Sequence, residues 1–212
     1  EIFSPGGSST GVIQESLGAQ RLSYEMEEIL LYYGMPSPYS QAQEIYLDFI
    51  PRGNYVDAGL WELTLNPRHI NAGSYDLWLP GQSVIGSGTG FLYPTEETTL
   101  TIPSTASKVI SVGAYNAAFN TYAPFSGRGF TRMEHRIKPD LAAPAVNISG
   151  VDTRGNYILS SGTSAAAAIT AGVCALGLEL FTNRILEDST NGLDIKNALI
   201  RDCRRKDGTD YP

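Results

Sequence analysis

Two histidines and two cysteines are all that the 212 residues contain of either type. That scarcity excludes the usual clustered zinc sites, because Cys174, Cys203, His69 and His135 all stand apart in sequence. It also leaves any histidine-dependent chemistry with two candidates. Each cysteine falls in a predicted helix and reads as a buried thiol rather than half of a disulfide. Basic residues are outnumbered: 15 Lys and Arg face 22 Asp and Glu, for a net charge of −7. Nucleic acid and anionic membrane surfaces are therefore not expected partners. No loop is dense enough in carboxylates to suggest calcium, and no cofactor is expected. There is no signal peptide, no internal repeat and no low-complexity tract. The first residue is Glu1 rather than Met, which reads as a processed product or an expressed piece. A membrane span is not expected either. Ala165 to Phe181 is mostly apolar, but Thr170, Gly172, Gly177 and Glu179 interrupt it, and a span needs about twenty strongly apolar residues. A helix buried inside a soluble domain is the better reading.

What is present points to strands first. The chain holds 22 Gly and 12 Tyr, which suits many strands and turns. Gly11 to Ser16 is a short strand candidate, and Arg21 to Gly34 a strand pair or one bent strand. Met35 to Ser40 carries two prolines and reads as a loop. Gln43 to Ile50 alternates, with Ile45, Leu47 and Phe49 on one face. Leu60 to Leu65 alternates again, placing Trp61, Leu63 and Leu65 together, and Gly73 to Leu79 is a further candidate. Short strands separated by turn chemistry predict a β-sandwich or jelly roll over residues 1–100.

Residues 101–212 change pattern to α/β. Lys108 to Ala114 is a compact Val/Ile strand of the kind buried on both faces. Lys138-Pro139-Asp140-Leu141-Ala142-Ala143-Pro144 is extended and pinned by proline. Val146 to Val151 and Tyr157 to Leu159 are short strands. A helix follows from Gly162-Thr163-Ser164 into a run of Ala, Ile and Leu. A second, from about Leu193 to Arg204, puts Ile195, Leu199 and Cys203 on one face.

The first of these helices holds the candidate site. Thr163 or Ser164 can cap its start, and most serines so placed are only caps. The same position is also the positive end of a helix dipole, beside unpaired N–H donors. A nucleophile whose product is an oxyanion is well served there.

Four segments, in order, resemble the C-terminal part of the subtilisin-like serine proteases, or subtilases. Ile102 to Tyr115 is similar to the strand after the family's oxyanion-hole segment, and Ala123 to Gly129 to its Phe-Ser-x-x-Gly loop. Lys138 to Pro144 matches Lys-Pro-Asp-x-x-Ala-Pro, and Gly162-Thr163-Ser164 through Ala171-Gly172 the nucleophile motif. The first half, through Gly73 to Pro80 and Pro94 to Pro103, resembles the β-domain inserted in a clostridial group that includes the Csp germination proteases. The resemblance implies an α/β fold: part of a parallel-sheet domain at 101–212, and a mainly antiparallel insert at 1–100. It implies Ser164 as nucleophile and as backbone oxyanion donor, with peptide or protein as substrate. It implies an extracytoplasmic or spore-associated bacterial protein. Ala145 stands where the family usually has Gly, and Ala168 and Ile169 where it often has Pro and His. None of these is required by the chemistry.

The rest of the catalytic set is not found. A serine needs a base, and the base a carboxylate to orient it. The family places these in Asp-Ser/Thr-Gly and His-Gly motifs, whereas His69 and His135 are followed by Ile70 and Arg136. No Gly-Asn segment supplies the oxyanion side chain. Asp57, His69 and Ser164 run in the family's order, but Asp57 and His69 both sit in the predicted insert. His135 lies in a charged run and reads as a solvated loop residue. Asp210-Tyr211-Pro212 resembles a point where relatives continue. The chain is thus expected to be a fragment, inactive alone, whose partner is the missing N-terminal part. Two rivals remain. One is a pseudoprotease of the same fold. The other is a β-domain that binds glycan or protein through Trp61, Tyr75 and Trp78.

Overall fold

The computed structural model describes residues 1–24, 27–38, 42–70, 73–132, 134–184 and 191–204. The expected loop residues Tyr39 and Ser40 and the closing Asp210 to Pro212 lie outside these. The chain divides into two compact units, Glu1–Trp78 and Leu79–Pro212.

The first unit is built of antiparallel strands. β1 (Ile2–Phe3) comes first, followed by β2 (Gly18–Tyr24), β3 (Glu27–Gly34), β4 (Glu44–Pro51) and β5 (Glu62–Leu63). β2, β3 and β4 form one three-stranded meander, and β1 pairs with β5 in a second sheet. The alternation in the sequence sets the facing. Ile29 and Leu31 of β3 are buried, while Tyr32 between the strand's ends is exposed. Ile2 of the small sheet packs with Ile29 of the large one, and Leu22, Leu47, Phe49 and Trp61 close round them. Trp61 stands edge-on to Phe49 at 4.9 Å and 67°. Its Nε1 donates to the Asp57 carbonyl at 3.0 Å. Ile29→Val should cost this unit about 1 kcal/mol, read by urea denaturation, because one methyl leaves a filled site. An unchanged midpoint would mean that the sheet interface is loosely packed.

Two expected strands are not formed. Gly11–Ser16 and Gly73–Leu79 carry no ladder. A strand-like sequence is stabilised as a strand only where a neighbour accepts its hydrogen bonds and one face is covered. Residues 73–80 are exposed throughout. Tyr75 and Trp78 are thus on the surface, whereas Trp61 belongs to the core.

The second unit is α/β. Helix α1 (Gln82–Ile85) opens it, and β6 (Val112–Asn116), β7 (Thr121–Tyr122), β8 (Gly129–Phe130), β9 (Ile137–Lys138) and β10 (Leu141–Pro144) follow. β11 (Ile148–Val151) and β12 (Tyr157–Ser160) form a hairpin that leads into α2 (Thr163–Arg184), and α3 (Gly192–Asp202) comes last. β6 is central to a small mixed sheet, with β10 parallel on one side and β7 antiparallel on the other. The Val/Ile run starts pairing only at Val112, because Ser111 is already committed to Asp140 in side-chain and backbone bonds. Ala114, Ala123, Ala143, Ala145 and Ala166 make the core, all of them small. Small residues let α2 lie close on β6 and β10. In the Phe-Ser-x-x-Gly loop, the Ser126 hydroxyl accepts from the Ala114 N–H of β6 at 2.9 Å.

The helix α2 departs from expectation. It forms where the sequence places a helix, but it is not buried. Within Thr163–Leu180, Ala166 and Thr170 are the buried positions, and Val173, Leu176 and Leu180 are exposed by 45%, 63% and 56%. Helix packing on a sheet covers one stripe, and this helix is apolar on the other stripes too. By length and composition Thr163–Leu180 could cross a membrane.

Candidate functional site

The turn before α2 is fixed by backbone bonds. Gly162 sits at φ +153°, a conformation side chains rarely adopt. Its N–H donates to the Ala145 carbonyl at 2.9 Å, and its own carbonyl accepts from Ala165 N at 3.0 Å. The helix begins at Thr163, so the cap position falls on Gly162. Neither Thr163 nor Ser164 acts as the cap, contrary to the sequence reading. The Ser164 side chain is left free for other work. It is exposed, and among the described residues its hydroxyl makes no hydrogen bond. Ser161, just upstream, accepts from Asn147 N at 2.9 Å and ties the hairpin to the turn.

The other candidates fall elsewhere. Asp57 and His69 belong to the Glu1–Trp78 unit, and Ser164 to the second. The Asp57-Ala58-Gly59 tripeptide has a structural role. The Asp57 N–H donates to the buried Glu27 carboxylate at 3.0 Å. Gly59 has φ +141°, and a Cβ there would sit 2.6 Å from Pro5 Cβ. His135 is exposed in a tight turn, at φ +47°, with its N–H on the Thr131 carbonyl at 2.9 Å. Cavities of about 330 and 290 Å³ lie beside Phe125–Arg128 and beside Thr131–Arg132, and neither is lined by Ser164. Among the described residues no three His, Cys, Asp or Glu side chains come together as a metal site. Cys174 and Cys203 are free and half-buried.

The densest electrostatic feature is one the sequence reading named only in part. Asp140 accepts from Lys138 Nζ at 2.6 Å and pairs with Lys196 Nζ at 2.9 Å. All three side chains are exposed by less than a tenth. Both ammonium groups also donate to the Val109 carbonyl, at 3.1 and 2.8 Å, and Lys196 to that of Ser107 at 2.8 Å. The Lys-Pro-Asp motif gave the first two residues. Lys196 could have been found from its place beside Ile195 on the inner face of α3, where a lysine needs a buried partner.

Two cations share one carboxylate here. Burial pulls the Lys138 pKa below its ordinary value, and the neighbouring Lys196 adds to this against the opposing pull of Asp140. Between that lowered value and the ordinary lysine range near 10.4 the unfolded chain holds a proton that the folded chain has shed. Stability from this group therefore rises with pH across that window. Urea unfolding of wild type and Lys138→Met from pH 7 to 10 should show the wild type gaining on the variant as pH rises. A pH-independent difference would contradict the cause given.

The family described as "Subtilase family" matches residues 85–210. Serine protease AprX of Bacillus subtilis (strain 168) is 36% identical over 120 residues, which covers 45% of this chain and 27% of that protein. The solved CspB protease of Clostridium perfringens superposes with a TM-score of 0.78 and 35% identity, over 100% of this chain and 45% of that one. The chain thus spans less than half the length of both relatives.

Proposed function

Because this chain belongs to the subtilase family of serine proteases, we propose that Ser164 is the nucleophile of a subtilisin-like serine endopeptidase. The observation that carries this is the Gly162-Thr163-Ser164 turn itself. It puts an exposed, uncommitted hydroxyl on the second residue of a 22-residue helix. Ser164 Oγ attacks the carbonyl carbon of a peptide bond while a base takes its proton. The carbonyl oxygen becomes an oxyanion beside the Ser164 N–H and the positive helix end. The amine leaves with a proton, and water then hydrolyses the acyl-enzyme.

The base, its orienting carboxylate and the oxyanion asparagine belong, on this reading, to the part of the relatives' length that residues 1–212 do not span. The open apolar surface supports it. Val173, Leu176 and Leu180 of α2 are exposed, as are Tyr157 and Leu159 of β12. A helix apolar on all sides belongs inside a protein. We assign that surface to the remainder of the catalytic domain rather than to lipid. Residues 1–100 are then the inserted β-domain of the Csp-type group, and residues 101–212 the C-terminal part of the catalytic domain.

A fluorophosphonate probe tests the reading. It should label Ser164 in the full-length protein and leave residues 1–212 unlabelled, since a serine without a base is a poor nucleophile near neutral pH. Rapid labelling of 1–212 would place a base inside this chain. Failure of the full-length protein to label would select a second reading, a non-catalytic family member that binds without cutting.

A further inference from the structure

We infer that Lys138, Asp140 and Lys196 are positioning residues that lock the register of β10 against β6 and, through Ala145, hold the turn that carries Ser164. The inference rests on the proposed role of Ser164, but its first test does not.

The parallel contact is short. It runs from Leu141 opposite Val112 to Pro144 opposite Tyr115, four pairs in all. Pro144 has no N–H to give. Parallel ladders are also somewhat weaker per residue than antiparallel ones. Side-chain pattern adds little discrimination. Leu141 and Ala143 are buried, and Ala142 and Pro144 are half-buried. A slip by one residue would move only one large apolar side chain, Leu141, out of the core, so the hydrophobic signal that usually sets register rests on a single residue.

The ends supply what the middle lacks. At the start, Asp140 N–H donates to the Ser111 carbonyl at 2.8 Å, and Asp140 Oδ2 accepts from Ser111 N–H at 2.8 Å. The carboxylate that makes this second bond is held in place by the two lysines. Through the carbonyls of Ser107 and Val109 the same lysines grip the segment entering β6. A slip of one residue, about 3.3 Å, would break every one of these bonds together. At the far end, Ala145 N–H donates to the Tyr115 carbonyl at 3.0 Å, and the Ala145 carbonyl accepts from Gly162 N–H at 2.9 Å. Gly162 lies two residues before Ser164. A β10 held in register at Asp140 therefore delivers Ala145 to the place where Gly162 needs its acceptor. Lys196 extends this linkage to α3.

The test reads the last bond in the chain. Amide hydrogen exchange at Gly162 is measured in the full-length protein as wild type, Lys196→Met and Leu199→Ala. The last variant trims a half-buried α3 side chain and leaves Lys138, Asp140 and Lys196 in place. Lys196→Met should speed Gly162 exchange at least tenfold, and Leu199→Ala should leave it within threefold. Asp140→Asn, which keeps the shape and removes the charge, should behave as Lys196→Met does. Equal Gly162 exchange in wild type and Lys196→Met overturns the inference. So does an equal rise in both α3 variants, which would make the cluster a general stabiliser. Peptide turnover gives the second readout. A misplaced nucleophile should lower kcat about tenfold and leave KM within twofold. If the wild-type protein turns over no peptide, the nucleophile reading fails, and the exchange data alone decide the positioning claim.

Discussion

Ser164→Ala in the full-length protein should lower kcat/KM on a peptide substrate by about 10⁴-fold or more, with no change in thermal stability. The two halves of this expectation have separate causes. On the proposed role of Ser164, the loss in rate follows from removing the atom that would form the acyl bond. What survives would come from substrate binding and the oxyanion donors. The unchanged stability follows from the exposed position of Ser164 and from a hydroxyl bonded to nothing among the described residues. The turn depends instead on Gly162, whose backbone bonds do not involve that side chain. Turnover by the variant within tenfold of wild type would move the nucleophile elsewhere. A large fall in melting temperature would mean that the serine has a structural partner.

Gly129→Ala should destabilise the second unit by about 3 kcal/mol or more, the largest stability effect expected of any alanine substitution at a glycine here. Gly129 has φ +112°, and a Cβ there would lie 2.3 Å from Thr98 N and 3.1 Å from Glu97 Cα. Those neighbours are backbone, so no rotamer change relieves the contact. The segment cannot easily withdraw either. Thr99 N–H donates to the Arg128 carbonyl at 3.1 Å, and Thr99 Oγ1 accepts from Arg128 N–H at 2.9 Å. The control is Gly172→Ala on α2, where a Cβ meets nothing within 4 Å. It should be neutral, or stabilising by up to about 1 kcal/mol through helix propensity. Urea denaturation of the two variants decides. Equal midpoints would show that residues 97–98 can move aside.

The same glycine shows what a sequence can carry. The Phe-Ser-x-x-Gly pattern was visible as a family mark, and its two polar signals have physical grounds. Ser126 completes a strand hydrogen bond, and Gly129 makes room for a passing backbone. Short motifs of this kind are legible because each residue answers a local demand. Strand β4 and helix α3 were legible for a related reason: their periodicity persists over seven residues or more. Helix α2 was legible from composition, a long run of good helix formers. Gly73 to Leu79 alternates just as well and is not a strand. A ladder needs a neighbour, and periodicity names none. The exposure of α2 was hidden likewise, since an apolar helix looks the same whether or not something covers it. Asp57 kept the family's order and turned out to serve a structural loop, its N–H held by Glu27 and the neighbouring Gly59 packed over Pro5. Lys196 was passed over because its partner, Asp140, lies far away in sequence.

Trp61, standing edge-on to Phe49, has a practical consequence for spectroscopy. The chain has two tryptophans, and both Trp61 and Trp78 fall in Glu1–Trp78. Among the described residues every helix falls in Leu79–Pro212. Indole emission therefore belongs to one unit and helical circular dichroism to the other. A single sample heated once would yield two independent melting curves without any label. If the two curves coincide, the units unfold as one. If they separate, the order of loss shows which unit can stand without the other.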